Sequence, residues 1–261
     1  MNAPVVRLSD ASLAFGKRML WDTLDLTVDA GEFIAILGPN GSGKTSLLKV
    51  LTGQLALTSG SADIAGQAVS SGNDRVGYIP QHSATLVPTM RGRDLVALGV
   101  DGHRWGLAAR PRVRHERDVA VGRAIEEVGA AHYARAPLTV LSGGERQRLR
   151  IAQALAGDPI LLLCDEPLLN LDPASAQQVS ELIDKRRRDA STAVLFVTHE
   201  INPVLPFVDR VLYLVDGRFR VGTVEEVMTS ENLSQLYRTE VDVVCVRGQY
   251  VVVGNRGFCH E

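Results

Sequence analysis

Three runs of the chain are continuously apolar, at residues 33–37, 160–164 and 193–197. Strands that are buried on both faces of a parallel sheet show this pattern, because helices cover the sheet on both sides. The first run leads into glycines, the second into Asp165-Glu166 and the third into Thr198-His199. Since the ligands of open α/β sheets bind beyond the carboxyl ends of the strands, the pattern predicts an α/β core in which three strand ends converge on one site.

Other segments alternate apolar and polar residues, as half-exposed antiparallel strands do. The alternation occurs at residues 5–8 and 24–28, and again at 62–65, where Gly66-Gln67 forms a hairpin-like break. A further strand is predicted at residues 75–81, where Pro80 must end the strand or place it at a sheet edge. We therefore expect a small antiparallel β subdomain near the N-terminus.

Residues 88–150 show a different pattern. Apolar residues recur at helical spacing in 93–98 and 118–128, which predicts a small α-helical subdomain inserted in a mostly parallel α/β core. Its arginines are interspersed with acidic residues, which favours a solvated or protein-contacting face over a nucleic-acid surface. Apolar residues on both sides of Arg247-Gly248-Gln249 predict a terminal hairpin. The expected organisation is one unit over residues 1–240 and a hairpin-like tail over 241–261.

The composition is that of an ordinary soluble globular protein of 261 residues with a formal net charge of −2. Such a charge gives no global field to attract nucleic acid or an anionic membrane. The three cysteines lack C-x-x-C spacing, which favours a reduced, cytosolic setting. Because no apolar run approaches the roughly 18–20 residues of a spanning helix and the N-terminus lacks a signal-peptide pattern, any membrane role is expected to act through a partner.

Metal-binding patterns are weak in this sequence. Cys259 and His260 lie together at the terminus, but a pair without further spaced ligands favours an uninvolved tail over a metal sensor. Four other histidines show no ligand spacing: His82, His103, His115 and His132.

The segment from Gly38 to Thr45 matches G-x-x-x-x-G-K-[ST] in full, between an apolar strand and a helix. Glycines allow backbone N–H groups to turn toward phosphate oxygens, and the helix N-terminus adds partial positive charge. Lys44 supplies a cation for the β- and γ-phosphates, and Thr45 supplies a hydroxyl ligand for Mg²⁺. The alternative is a glycine-rich turn without a ligand, and the filling of every motif position argues against it.

A second phosphate-binding helix N-terminus is predicted at residues 141–145, Leu-Ser-Gly-Gly-Glu. Ser142 is placed to cap the following helix, and Glu145, three residues later, completes a capping box. These residues alone support two interpretations equally. One is a capping box without a ligand, and the other is a helix N-terminus whose exposed amides bind phosphate.

These motifs, with Asp165-Glu166 and His199, occur in the order and at the approximate spacing of an ATP-binding cassette (ABC) ATPase, which the chain resembles up to about residue 240. The resemblance implies a P-loop NTPase fold and a head-to-tail dimer that holds two ATP molecules. In such a dimer, residues 142–145 would contact the γ-phosphate held by the second copy of the chain.

The resemblance also assigns roles to single residues. Asp165 would bind Mg²⁺ through water and Glu166 would be the general base, which agrees with the opposite directions of successive side chains at a strand end. His199 would contact the γ-phosphate, and Gln81 would ligate Mg²⁺ and report to a membrane partner. The alternatives are a polar strand-terminating turn for Asp165-Glu166 and an ordinary strand-end histidine.

Phe15 matches the aromatic residue that stacks on adenine, although a buried core phenylalanine is a common alternative. Asp172 matches the loop after the carboxylates, where Leu169 replaces the usual serine. Together, the motifs and the resemblance predict ATP contacts at Phe15, Gly38, Pro39, Asn40, Gly41, Ser42, Gly43, Lys44, Thr45, Ser46, Gln81, Ser142, Gly143, Gly144, Glu145 and Asp172, catalytic roles for Glu166, His199 and Lys44, and Mg²⁺ ligands at Thr45, Gln81 and Asp165.

The cargo is less constrained than the ATPase. A cassette without membrane helices is similar to the ATPase subunit of an importer, and residues 199–227 resemble zinc and manganese importers. This implies integral membrane permease subunits, an extracytoplasmic solute-binding protein, no nucleic acid, and a place on the cytoplasmic face of a bacterial membrane. The alternatives are an importer of another solute such as iron-siderophore, a soluble ABC ATPase acting on DNA or the ribosome, and a binding module without turnover, against which Glu166 argues.

Overall fold

A computed structural model of the chain describes residues 3–81, 89–101 and 111–254. In chain order its strands are β1 (Val6–Phe15), β2 (Arg18–Val28), β3 (Phe33–Leu37), β4 (Ser59–Ile64), β5 (Gln67–Ala68), β6 (Val76–Ile79), β7 (Leu161–Asp165), β8 (Ala193–Val197), β9 (Arg210–Val215), β10 (Arg218–Gly222), β11 (Val241–Val246) and β12 (Gln249–Gly254). Its α-helices are α1 (Lys44–Leu51), α2 (Gly92–Asp101), α3 (Pro111–Glu127), α4 (Gly143–Leu155), α5 (Pro173–Ala190), α6 (Val224–Val227) and α7 (Ser230–Tyr237), and short 3₁₀ turns lie at Leu138–Val140 and Leu205–Phe207.

A six-stranded sheet in the order β10-β9-β3-β8-β7-β6 forms the centre of the molecule. All neighbouring pairs are parallel except β9 and β10. Every residue of β3, β7 and β8 is buried, which confirms the parallel core predicted from the apolar runs. The strand β6 lies at the sheet edge and Pro80 follows it directly, as the position of the proline requires.

Two hydrophobic clusters cover the opposite faces of this sheet. Phe33 and Ala35 point into one cluster together with apolar residues of α2, α3, α4 and α5. Ile34 and Ile36 point into the other, together with Leu47 of α1 and the N-terminal antiparallel sheet. Successive side chains of β3 point to opposite faces of the sheet and therefore pack in different clusters, as expected for a strand that is buried on both faces.

The N-terminal antiparallel sheet has the order β2-β1-β4-β5. Its first two strands contain ten and eleven residues, so the short strands predicted at 5–8 and 24–28 were wrong in length. The pairing shifts register between Leu8 and Ala11 and twice more before Ala14, and Asp10 and Thr23 have positive φ angles. These bulges interrupt the alternation of apolar and polar residues, which hid the rest of each strand.

The helical subdomain consists of α2, α3 and α4 in the described residues, which confirms its predicted class. The helix α3 begins at Pro111 and not near residue 118. Residues 111–117 are mostly charged, so hydrophobic spacing gave no signal for the first turns. Val121 of α3 and Leu149 of α4 belong to the same cluster as the sheet strands, so these helices pack on the core.

The terminal hairpin is also confirmed, as β11 paired with β12. The Asn202 side chain fastens it to the loop after β8: its Nδ2 donates to the Tyr250 carbonyl at 2.9 Å and its Oδ1 accepts from the Tyr250 N–H at 2.8 Å. None of the helices in the described ranges has the length and apolar character needed to cross a membrane.

Candidate active site

The loop from Gly38 to Gly43 connects β3 to α1 and depends on glycine at two crowded positions. Gly38 has a φ of 139°, and a Cβ there would lie 2.0 Å from the Leu214 carbonyl oxygen. Gly43 has a φ of 102°, and a Cβ would lie 2.8 Å from the Trp21 ring. Both backbone conformations and both contacts exclude a side chain, so the predicted motif is required by the packing of this loop.

Lys44 lies at the start of α1 and is only 5% exposed. Its Nζ donates to the carbonyls of Gly38 at 2.7 Å and Pro39 at 2.9 Å. Burial lowers the pKa of Lys44, and the carboxylates of Glu166 and Asp165 oppose this shift. Beside it, the buried Ser42 Oγ has no hydrogen-bond partner among the residues that the structure describes. A buried cation and an unpaired hydroxyl in one loop fit an anionic ligand such as a phosphate.

Asp165 ends β7 and is buried. Its Oδ1 accepts from Thr45 Oγ1 at 3.0 Å, and its Oδ2 accepts from the Tyr78 hydroxyl at 3.3 Å. Burial raises the pKa of Asp165, while the two hydrogen bonds act in the opposite direction. The Thr45 hydroxyl and the Asp165 carboxylate, two of the three ligands predicted for Mg²⁺, therefore lie together.

Glu166 follows in a left-handed backbone conformation, with a φ of 50°. Its Oε2 accepts from Gln81 Nε2 at 2.6 Å, and its Oε1 lies 2.5 Å from His199 Nε2. His199 follows β8, whose end was predicted to converge with the carboxylate pair, and Gln81 reaches the same carboxylate from the end of β6.

A cleft of about 360 Å³ opens in front of these groups. It is lined by Phe15, Arg18, Leu20, Asn40, Gly41, Gly43, Lys44, Thr45, Ser46, Gln81 and Glu166. Phe15 is 52% exposed, so the alternative of a buried core phenylalanine is wrong. Glu166 also lines a second cavity of about 660 Å³, together with residues that include His199, Leu169 and Gln249.

The residues predicted from 142 to 145, and Asp172, do not line the cleft. Ser142 caps α4: its Oγ accepts from the Glu145 N–H, and the Glu145 carboxylate accepts from the Ser142 N–H at 2.8 Å. These hydrogen bonds with Ser142 hold the pKa of Glu145 below its usual range. Asp172 caps α5 and accepts from Ser175. The predicted capping box is confirmed, and in the described part of the chain the hydrogen bonds of Ser142, Glu145 and Asp172 cap the helices that these residues begin.

Leu20, which lines the cleft, was not predicted, and neither were two polar residues that reach the site. Tyr78 reaches Asp165 from β6, and Arg18 reaches the loop from Gly38 to Gly43 from the β1–β2 hairpin. Neither belongs to a motif. Among the described residues no group of three or more His, Cys, Asp or Glu side chains could hold a metal ion. The predictions for Cys259 and His260, and for His82 and His103, lie outside those residues.

Comparison with known proteins identifies this architecture. The ABC transporter family profile matches residues 21–169, which is more than half of the chain. The chain belongs to the ABC transporter family. As a member of this family with an ATP-binding cassette, it is an ATPase with the mixed α/β fold of the family.

Several ABC transporter proteins resemble the chain over most of its length. A hemin import ATP-binding protein from Plesiomonas shigelloides is 33% identical over 260 residues, which cover 90% of this chain and 95% of the relative. A zinc import ATP-binding protein from Marinobacter nauticus is 36% identical over 82% of this chain and 76% of the relative. A manganese transport system ATP-binding protein from Bacillus subtilis is 32% identical over 89% and 92%.

Solved structures agree with this family assignment. An ABC transporter described as metal-chelate type, in an inward-facing conformation, superposes with a TM-score of 0.79 at 26% identity and covers 95% of this chain and 96% of its own. A nucleotide-free ATP-binding cassette superposes with a TM-score of 0.77 at 19% identity over 90% and 98%, which supports the fold alone. The relatives are named for different cargoes, so similarity alone leaves the transported solute open.

Proposed function

We propose that this chain is the ATP-hydrolysing subunit of an importer that moves a divalent metal ion, zinc or manganese, across a bacterial membrane. The observation that supports ATP hydrolysis best is the position of Glu166. Its carboxylate is held by Gln81 and His199 beside a buried Lys44 and an Asp165–Thr45 pair. A binding module without turnover has no need of this arrangement.

ATP would bind with its phosphates in the loop from Gly38 to Thr45 and its adenine on the exposed Phe15 ring. The backbone N–H groups of the loop and Lys44 would bind the β- and γ-phosphates. Thr45, Asp165 and Gln81 would hold Mg²⁺, because this ion prefers oxygen ligands and Thr45 and Asp165 already lie 3.0 Å apart. When bound, Mg²⁺ would offset negative charge on the phosphates.

Glu166 would act as general base. Its carboxylate accepts a proton from the water that attacks the γ-phosphorus, and the bond to the bridging oxygen of ADP breaks. His199 would donate a hydrogen bond to the γ-phosphate. In this structure the Glu166 carboxylate contacts both His199 and Gln81, so nucleotide binding must exchange some of these contacts for contacts with ATP.

A second copy of the chain would complete the site. Residues 142–145 lie outside the cleft of their own chain, and the exposed N-terminus of α4 is suited to bind a phosphate held by a head-to-tail partner. Asp172 lies in the loop next to Leu169 and would contact the same partner. We assign residues 1–240 to the ATPase unit and 88–150 to an inserted helical subdomain that, with the Gln81 loop, docks the permease.

The metal cargo is supported by the resemblance of residues 199–227 to zinc and manganese importers, and by relatives named for zinc import and manganese transport at 36% and 32% identity. A second candidate is an iron-siderophore or related importer, since an iron(3+)-hydroxamate import protein from Bacillus subtilis is 30% identical over 89% of this chain. In either case the chain would lie on the cytoplasmic face of the membrane, bound to permease subunits that receive solute from an extracytoplasmic binding protein.

The test is the zinc, manganese and iron content of cells that lack the gene, grown in metal-poor medium. Each strain is complemented with the wild type or with Glu166→Gln. We expect selective loss of zinc or manganese that only the wild type restores. A loss of iron alone would transfer the assignment to the iron-siderophore candidate, and unchanged metals in all strains would contradict metal import.

A further inference from the structure

Arg18 lies beside Phe15 at the tip of the β1–β2 hairpin. The two residues are direct partners in the antiparallel register, on either side of the turn at Gly16-Lys17. Side chains of such a pair emerge on the same face of the hairpin. Both line the cleft, so the aromatic ring and the guanidinium group face the same ligand space.

The guanidinium group of Arg18 reaches the phosphate-binding loop. Its Nη2 donates to the Gly41 carbonyl at 2.9 Å, and a Cβ on Gly41 would lie 3.3 Å from the same nitrogen. Arginine has five N–H donors in a planar fork, and this contact uses one of them. In the described part of the chain no carboxylate forms an ion pair with Arg18, so its guanidinium group is available to pair with an anionic ligand.

Arg18 lies between the proposed adenine contact at Phe15 and the loop that contains Gly41, and this position indicates which part of ATP it would contact. Adenine would stack on Phe15 at one end, and the loop containing Gly41 would hold the β-phosphate at the other. The ribose and the α-phosphate connect these two parts of ATP. We propose that Arg18 is a nucleotide-binding residue that pairs with the α-phosphate, an inference that rests on the proposed stacking of adenine on Phe15.

A contact with the α-phosphate has a distinctive kinetic consequence. The α-phosphate is present in both ATP and ADP, and its charge changes little when the γ-phosphate departs. Arg18 would therefore stabilise substrate, transition state and product alike, which affects KM and leaves kcat unchanged. Lys44, in contrast, would contact the phosphate groups that react.

The sharpest test is Arg18→Gln in the full chain. Glutamine can still donate to the Gly41 carbonyl but has no charge, so a role limited to bracing the loop would survive this substitution. We expect the Kd values of ATP and ADP, measured by titration calorimetry, to rise about tenfold each, the usual effect of one charge-assisted hydrogen bond. Their ratio and kcat should stay unchanged, and the dependence of ATP affinity on salt should become shallower.

Lys17→Gln is the matched control, because Lys17 is an exposed neighbouring cation that does not line the cleft. It should leave both Kd values at the wild-type level, and Arg18→Lys should recover part of the affinity. Wild-type affinities in Arg18→Gln would overturn the proposal, as would a loss confined to ATP, which would place the contact at the γ-phosphate. Failure of the wild type itself to bind ATP would instead contradict the proposed function.

Discussion

Glu166 links the separate parts of the site at the scale of single residues. Each of its carboxylate oxygens has one partner, His199 or Gln81, and its backbone takes a left-handed conformation that few residue types favour. Conformations of this kind cost about 1 kcal/mol or more and persist where the surroundings hold them. The backbone conformation and the two contacts together fix the direction of the carboxylate in this structure.

The contact between Asp158 and Arg186 leads to a prediction about the stability of the fold. Arg186 is buried, and its Nη2 lies 2.5 Å from Asp158 Oδ1. The hydrogen bond from Arg186 holds the pKa of Asp158 below its usual range. Such a group contributes stability above its unfolded pKa of about 3.9, and the contribution is lost as pH falls through the lower folded pKa.

We expect Asp158→Asn to reduce the free energy of unfolding at pH 7 by about 1 kcal/mol, a value kept small because the carboxyl group is 58% exposed. Asparagine tolerates the positive φ of this position, so the effect reports on charge. Urea unfolding of the wild type and of Asp158→Asn should show a difference in the free energy of unfolding that narrows below about pH 4. Asp189→Asn changes an exposed helix position and should unfold with the same free energy as the wild type. If the difference for Asp158→Asn did not vary with pH, the proposed role of the Asp158 charge would be contradicted.

Sequence reasoning at this scale succeeded where a motif dictates local geometry. Gly38 and Gly43 were predictable because the loop motif itself demands glycine. Tyr78 and Arg18 were not, because their contacts depend on which residues two strands place opposite each other. Arg18 meets Gly41 only through the register of the β1–β2 hairpin.

Two helices show the same N-terminal structure at the scale of elements. Ser142 with Glu145 at α4, and Thr223 with Glu226 at α6, both form complete capping boxes, and both capping residues are exposed. The local chemistry is equivalent, but only α4 is proposed to meet ATP. A comparison of variants at the two caps therefore distinguishes a role in helix capping from a role in phosphate binding.

We expect Ser142→Ala and Thr223→Ala each to lower the free energy of unfolding by about 1 kcal/mol, the usual cost of a lost cap. Only Ser142→Ala should lower the ATPase rate, by about tenfold, because a hydrogen bond to phosphate is lost as well. Thermal unfolding and phosphate release measure the two effects. Equal ATPase rates in the two variants would leave Ser142 with its capping role alone.

A helix or strand could be predicted from the sequence where one hydrophobic pattern continued along its whole length. The fully apolar strands β3, β7 and β8 were predicted to within a residue. The strands β1 and β2 were only partly predicted, because bulges at Asp10 and Thr23 break the alternation. The start of α3 was missed because its first turns are charged.

At the scale of the whole molecule, the candidate active site lies at the carboxyl ends of the strands in a sheet that is covered on both faces. The loop after β3, the carboxylates after β7 and the histidine after β8 meet there, as the order of apolar runs and polar strand ends predicted. The region 142–145 lies elsewhere on the same chain and does not contribute to this cleft. Under the proposed function, the cleft and residues 142–145 would be the two half-sites that a head-to-tail pair joins.

The most direct test of this account is the mass of Glu166→Gln in solution with saturating Mg-ATP, measured by light scattering. Without the general base, ATP should bind and persist, and the 28.2 kDa chain should shift to a dimer with no detectable turnover. Lys44→Ala, which loses the phosphate-binding cation, should stay monomeric under the same conditions. A Glu166→Gln protein that stays monomeric, or that hydrolyses ATP at the wild-type rate, would contradict the central claim.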